Sequence, residues 1–243
     1  MVLQVHAFAE EMNKCRRMCA LQSRALADAG FAVLQIDLLG CGDSSGGFGD
    51  ASWDAWSDDI VHAAGWLARQ HDAPLLLWGV RAGCLLLSAA GARLGRPTAA
   101  LFWQPVVSGK VALQQFLRLR VASGLLDGES RGVGEQLRQD LAAGRSVDVA
   151  GYLLSAALAN GLEAASLLPW AGLQRCSAFE VSLRDNAVPS PALASTLARW
   201  QASAVDCDAQ TLHGPAFWQS TEIEVAPALI AATVAAAQRG AAA

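Results

Sequence analysis

The sequence predicts an α/β fold: a mostly parallel sheet of about six strands flanked by helices. Three observations predict it. Short apolar runs alternate with stretches of helical periodicity along most of the chain. Leu75, Leu76, Leu77 and Trp78 form a run with no polar alternation, as a parallel strand covered on both faces requires. A glycine-framed turn, Gly79-Val80-Arg81-Ala82-Gly83, then leads straight into a helix. Such alternation implies right-handed crossovers and loops for ligands at the carboxyl ends of the strands.

The elements follow in order. Residues 2–5 read as a strand and 6–11 as a polar loop. Residues 12–29 make an amphipathic helix, with Met12, Cys19, Leu26 and Ala29 near one face and Gly30 as its stop. A strand over 31–37 leaves into a Gly- and Ser-rich loop over 37–46. Ser52 caps a helix in which Trp56, Ile60, Ala63 and Leu67 recur at helical spacing. After the central strand and its turn, residues 99–106 form another strand, closed by Pro105 and a polar turn over 108–110. Strand character then disappears from 111 to 169, which reads as helices separated by Gly124, Gly128, Gly132, Gly144 and Gly161: an inserted helical cap. A strand over 178–183, a helix over 191–202, a short strand over 209–212 and an Ala-rich helix over 227–238, with Pro227 in its first turn, complete the chain.

Composition sets the function classes. The 243 residues allow one domain with a large core, or one carrying an insertion. Hydrophobic residues at 53% against 16% charged argue for elements buried on both faces and against disorder. A net charge of -4 with scattered arginines argues against a nucleic-acid partner, which needs a basic stripe. Cys15, Cys19, Cys41, Cys84, Cys176 and Cys207 include no C-x-x-C pair, and no signal peptide precedes them, so reduced thiols and a cytoplasmic location are expected. Cys15 and Cys19 stand one helical turn apart without further ligands nearby; neither metal nor cofactor is expected. No apolar run approaches the ~20 residues of a membrane-spanning helix, the stretch 149–162 being short and interrupted by Asn160.

The glycine-framed turn has the spacing of the G-x-S-x-G nucleophile elbow. Together with the D-x-x-G-x-G-x-S segment at Asp37, Gly40, Gly42 and Ser44, and the inserted cap, it makes the chain resemble the α/β-hydrolase superfamily. More closely, HAFAEEMNKCRRM, DLLGCGDSSGGFGD, WGVRAG and GPAFWQSTEIEVAPALI look like the second type of hydrolase associated with the exosortase A system of Gram-negative bacteria. This resemblance covers nearly the whole chain. It implies a cytoplasmic protein connected with exosortase sorting and exopolysaccharide production, a hydrolase or acyltransferase, and supplies no substrate. Two departures stand out. Arg81 occupies the place of the Ser, Cys or Asp nucleophile, and a guanidinium, always protonated, cannot attack a carbonyl. The antiparallel hairpin that usually precedes the strand beginning at Val2 is absent from these residues.

The resemblance implies a triad acid at Asp185; an Asx-type turn before Pro189 and Pro191 accounts for it equally. His213 fits the order Ser, Asp, His, but Ala216 rather than a histidine precedes the aromatic Phe217, so a solvent-facing role competes with that of a base. His6, Glu10 and Glu11 fall in the loop from which the superfamily donates to an oxyanion. Carboxylates there would repel developing negative charge, whereas they suit Arg81 as partners. Trp218 joins these three as a pocket residue. Cys84, Ser88, Cys41 and Ser44 are the nearest substitute nucleophiles, and each has a structural explanation. Two functions remain open. One is a hydrolase or acyltransferase using Asp185 and His213; the other is a catalytically degenerate fold that binds an anionic small molecule at Arg81, or a protein partner through the cap.

Overall fold

The computed structural model describes residues 1–126 and 132–241; Gly128, one of the predicted helix separators, lies outside the described residues. Its central strand is β3 (Leu75–Val80), with every residue buried. To one side stand β1 (Val2–Val5) and then the edge strand β2 (Val33–Gln35). To the other stand β4 (Thr98–Trp103), β7 (Leu173–Ser182) and the opposite edge β8 (Asp206–His213). The order is therefore β2-β1-β3-β4-β7-β8, and every pairing is parallel. The helices on this sheet include α1 (Glu10–Asp28), α3 (Gly83–Gly91), α7 (Pro191–Ala202) and α8 (Pro227–Ala241).

Chain contacts divide the molecule into two units. The first holds the six-stranded sheet and comprises Met1–Ile36, Ile60–Val107 and Leu167–Ala243. One face of its sheet buries Trp78, Trp103, Phe179 and Leu101 against Met18, Leu26 and Leu229 from the covering helices. The Trp78 and Trp103 rings meet edge to face at 4.7 Å, a favoured quadrupole geometry. The indole N–H of Trp103 donates to Thr233 Oγ1 at 2.9 Å, so even this deep polar atom is satisfied.

The second unit comprises Asp37–Asp59 and Ser108–Ser166, and α2 (Trp53–Gln70) begins in it and ends in the first. It contains a short 3-10 turn (Phe48–Asp50), α4 (Gly109–Leu126), α5 (Val133–Ala142) and α6 (Ala156–Ala164). It also holds strands where the sequence pattern indicated helices alone: β5 (Val147–Val149) pairs antiparallel with β6 (Tyr152–Leu154). Their link, Ala150-Gly151, has φ 53° and 83°, the backbone of a tight two-residue hairpin turn. Three-residue strands are too short to show period-two alternation, which is why they were hidden.

Gly124 differs from its predicted place between helices, lying inside α4, and so does Gly161. The latter lies inside α6, where the Trp53 side chain fills the space a Cβ would take. In the sheet, β7 starts five residues before the predicted strand and β8 three before. Gln174, Arg175, Asp206 and Asp208 interrupt these beginnings, where only Leu173, Cys176 and Cys207 supply buried apolar side chains, and ladder pairing continues through them. By contrast β2 is shorter than predicted, as suits an exposed edge.

Candidate functional site

The turn after β3 brings helix and strand closer than any side chain on the framing glycines would permit. A Cβ on Gly83 would stand 2.5 Å from the His6 carbonyl oxygen and 2.7 Å from that of Val5. One on Gly79 would stand 2.9 Å from Cys84 Cα. Between them Arg81 adopts φ 55°, the left-handed region uncommon for a residue with a Cβ. Its N–H donates to Trp103 O at 2.9 Å, and its carbonyl accepts from Cys84 N at 3.1 Å. The backbone therefore has the strained form of a nucleophile elbow, with a guanidinium at its tip.

Three of the five N–H groups of that guanidinium are engaged. Its Nε donates to both Glu11 oxygens at 3.1 and 3.2 Å, and its Nη2 donates to Glu11 Oε1 at 2.9 Å. Its Nη1 donates to the carbonyl of Gln104 at 3.3 Å. Its Cζ lies over the Trp218 ring, 5.1 Å from the centroid, within cation–π range. The ion-paired side chains are only 13% and 19% exposed, so the fork is bidentate and largely screened from water. Of Glu10, Glu11 and Asp185, it is Glu11 that pairs with Arg81. Its position in the first turn of α1 places the carboxylate at the positive end of that helix.

The neighbouring groups have distinct environments. Glu10 is held above the usual carboxylate range, chiefly by burial and further by the negative charge of Glu11, and its Oε2 has no hydrogen-bond partner. His6 is buried, and its Nδ1 donates to Ala7 O at 2.7 Å, which fixes that nitrogen as the protonated one. Trp218 is buried too, and its indole N–H has no acceptor.

Asp185 lies just after β7, and His213 ends the neighbouring strand β8, where Ser182 is its register partner. Both residues are exposed, and no hydrogen bond or ion pair joins their side chains among the described residues. The side chains around Arg81 do not include them. The substitute nucleophiles are accounted for locally. Ser44 Oγ donates to Asp37 O at 2.6 Å, and Ser88 Oγ accepts from Leu168 N at 3.1 Å. Burial raises the Cys41 thiol to about 12 and pushes the Cys84 thiol far up as well, so neither supplies a thiolate.

Two residues escaped sequence reasoning. Gln104, at φ 43°, donates its N–H to Phe179 O at 2.6 Å and accepts from Val181 N on its side-chain oxygen at 3.0 Å. It thereby fixes the carbonyl that Arg81 uses; its signal was a lone amide between a strand end and Pro105. Glu180 is buried inside β7 and accepts from both N and Oγ of Ser190, at 2.6 and 2.7 Å. Ser190 in turn caps α7 through Leu193 N. A single carboxylate within an apolar strand was the signal there.

Among the described residues no cluster of three or more His, Cys, Asp or Glu side chains could hold a metal ion. No described helix is long and apolar enough to cross a membrane. A cavity of about 1010 Å³ opens at the amino ends of the strands, lined by Met1, Leu76, Arg96, Thr98 and Arg175 among others. It is at the opposite edge from Arg81 and forms no part of this site.

No family model matches the sequence, and no curated protein matches it. Solved structures do. Est1E from Butyrivibrio proteoclasticus, with ferulic acid bound, is 15% identical over 100% of this chain and 89% of its own, with a TM-score of 0.66. The alpha/beta hydrolase GrgF from Penicillium sp. sh18 is 14% identical over 100% and 90%, with a TM-score of 0.60. Alpha/beta hydrolase domain-containing protein 10 from mouse is 16% identical over 98% and 88%, with a TM-score of 0.55. The chain thus has the α/β-hydrolase fold, in agreement with the topology above.

Proposed function

We propose that this is an α/β-hydrolase-fold protein of the bacterial exosortase and exopolysaccharide system whose elbow recognises an anion instead of carrying a nucleophile. The observation that carries the reading is Arg81 at φ 55°, forked onto Glu11 and placed over the Trp218 ring. A guanidinium so placed binds carboxylate or phosphate oxygens well and cannot form an acyl-enzyme. The link to the exosortase system rests on the sequence resemblance. Residues 111–169 are assigned the part of an inserted cap through which a protein partner docks, and α4, α5 and α6 within them support that assignment. The protein is assigned to the cytoplasm.

The test is calorimetric titration of the full chain with small carboxylates and phosphate esters, alongside fluorophosphonate labelling. Binding that is lost in Arg81→Gln, with no label incorporated, is the expected outcome. Fluorophosphonate labelling of a serine would overturn the reading.

A second reading is a hydrolase or acyltransferase in which Asp185 and His213 activate a water. The pairing of Ser182 with His213, which brings the two following loops to one sheet edge, favours it. Turnover of activated esters that falls in both Asp185→Asn and His213→Ala would establish this second reading in place of the first.

A further inference from the structure

Cys176 in β7 and Cys207 in β8 are direct register partners on adjacent parallel strands. Such partners project to the same face, and adjacent strands lie ~4.8 Å apart, within the ~4.4–6.8 Å between Cα atoms that a disulfide bridges. Both are free, buried thiols. The neighbouring Cys176 thiol lowers Cys207, against the opposing effects of its burial and of Asp206 and Asp208, while burial above all raises Cys176. Cys207 stands on the edge strand and Cys176 on the strand inside it. No strand lies beyond β8 in the described sheet, so opening of this edge exposes Cys207 first. The remaining cysteines differ: burial raises Cys15, Cys19, Cys41 and Cys84, and none has a cross-strand cysteine partner.

We propose that Cys176 and Cys207 are a modification site that a hydroperoxide converts into a reversible cross-strand disulfide. In the first step the Cys207 thiolate attacks one peroxide oxygen. A sulfur–oxygen bond forms, the oxygen–oxygen bond breaks, and the hydroxide released takes up the proton that Cys207 gave up, leaving as water. In the second step the Cys176 sulfur attacks the Cys207 sulfenic sulfur. The sulfur–sulfur bond forms, and the sulfenic hydroxyl leaves as a second water with the Cys176 proton. Two thiols lose one electron pair, and hydrogen peroxide is reduced to two waters. The product staples edge strand β8, which ends at His213, to β7, whose following loop carries Asp185.

The experiment treats the full reduced chain with hydrogen peroxide and maps its tryptic peptides without reductant. Cleavage after Arg175 and Arg184 separates the Cys176 peptide from the one that holds Cys207. The expected product is a linked pair of these peptides, lighter than their sum by two hydrogens and separated again by dithiothreitol. It should be absent from Cys207→Ser and from Cys176→Ala, and oxidation should raise the melting temperature of the native chain alone. Mapping the unsubstituted chain keeps the test valid if a variant fails to fold. Cys207 stopping at a sulfinic or sulfonic acid, either cysteine linking elsewhere, or both staying reduced would overturn the proposal. None of these outcomes depends on what Arg81 binds.

Discussion

Replacing Glu11 with alanine should destabilise the protein by leaving the Arg81 charge partly buried with no carboxylate. Breaking a buried pair by removing one partner costs ~3–5 kcal/mol, whereas a fully exposed pair contributes ~0–1 kcal/mol. Here the side chains are 13% and 19% exposed, closer to the first limit, but the Gln104 carbonyl and the Trp218 face remain for Arg81. A loss of roughly 2–3 kcal/mol follows from that position between the limits. At ~2–4 °C per kcal/mol for a chain of this size, the melting temperature should fall by about 5–10 °C. The assay is urea unfolding followed by tryptophan fluorescence for wild type, Glu11→Ala, Arg81→Ala and the double variant. The cycle should give a coupling of about 1–3 kcal/mol, with the double variant more stable than the sum of the single losses predicts. Coupling below ~0.5 kcal/mol would refute the claim that this pair braces the elbow.

Three further outcomes follow from the same geometry. Arg81→Ser completes the G-x-S-x-G pattern yet should not yield an efficient esterase, because a serine needs a base within about 3 Å and Glu11 would be left unpaired; a large His213-dependent gain in p-nitrophenyl acetate hydrolysis would show otherwise. Burial raises Glu10 in the folded chain, so the fold holds that proton more tightly than the unfolded state does. Its contribution to stability is greatest below the ordinary Glu range and declines as pH rises through the raised value; Glu10→Gln should therefore raise the melting temperature more at neutral than at acid pH, and equal shifts at both would count against this. Gly83→Ala forces α3 away from β1, since its Cβ would meet two carbonyl oxygens at 2.5 and 2.7 Å. Overpacking of ~1–3 kcal/mol or more should appear as a lower urea midpoint, and an unchanged midpoint would contradict the close approach.

The sheet was legible because its inner strands are buried on both faces and therefore spelled in uninterrupted apolar residues, as at Leu75, Leu76 and Leu77. Where a strand is held by ladder bonds with a polar sequence, as at Asp206 or Arg175, apolar runs give no warning. The β5–β6 hairpin failed to register for a related reason: three residues per strand cannot display a period, and its Ala150-Gly151 turn resembled a helix break. At the site, charge logic was informative, since a guanidinium at a buried turn requires a carboxylate and the loop after β1 offered two. What sequence could not choose was which one. Glu10 and Glu11 are adjacent, and the phase of α1 sends one toward Arg81 and leaves an oxygen of the other buried without a partner. Gln104 was equally invisible, because its part depends on a positive φ that nothing in the residue type announces.

The Arg81–Glu11 fork also bears on how an anion would bind under the proposed reading. Glu11 already occupies Nε and one face of Nη2 with a carboxylate, the chemistry that the site would recognise in a ligand. An incoming carboxylate or phosphate must therefore either displace Glu11 or take the outer N–H groups of Nη1 and Nη2 while the fork stays closed. Displacement sets the apparent affinity below the intrinsic one by the fraction of molecules with the fork open. Addition to a closed fork places a second negative charge beside Glu11, and the raised Glu10 carboxyl bears directly on that choice. A protonated Glu10 contributes a hydrogen-bond donor and no repulsion, whereas an ionised one adds a third negative charge at the same spot. The two modes separate in one measurement: Glu11→Gln should tighten anion binding if the ligand displaces the native carboxylate and weaken it if Glu11 is needed to hold the guanidinium in place.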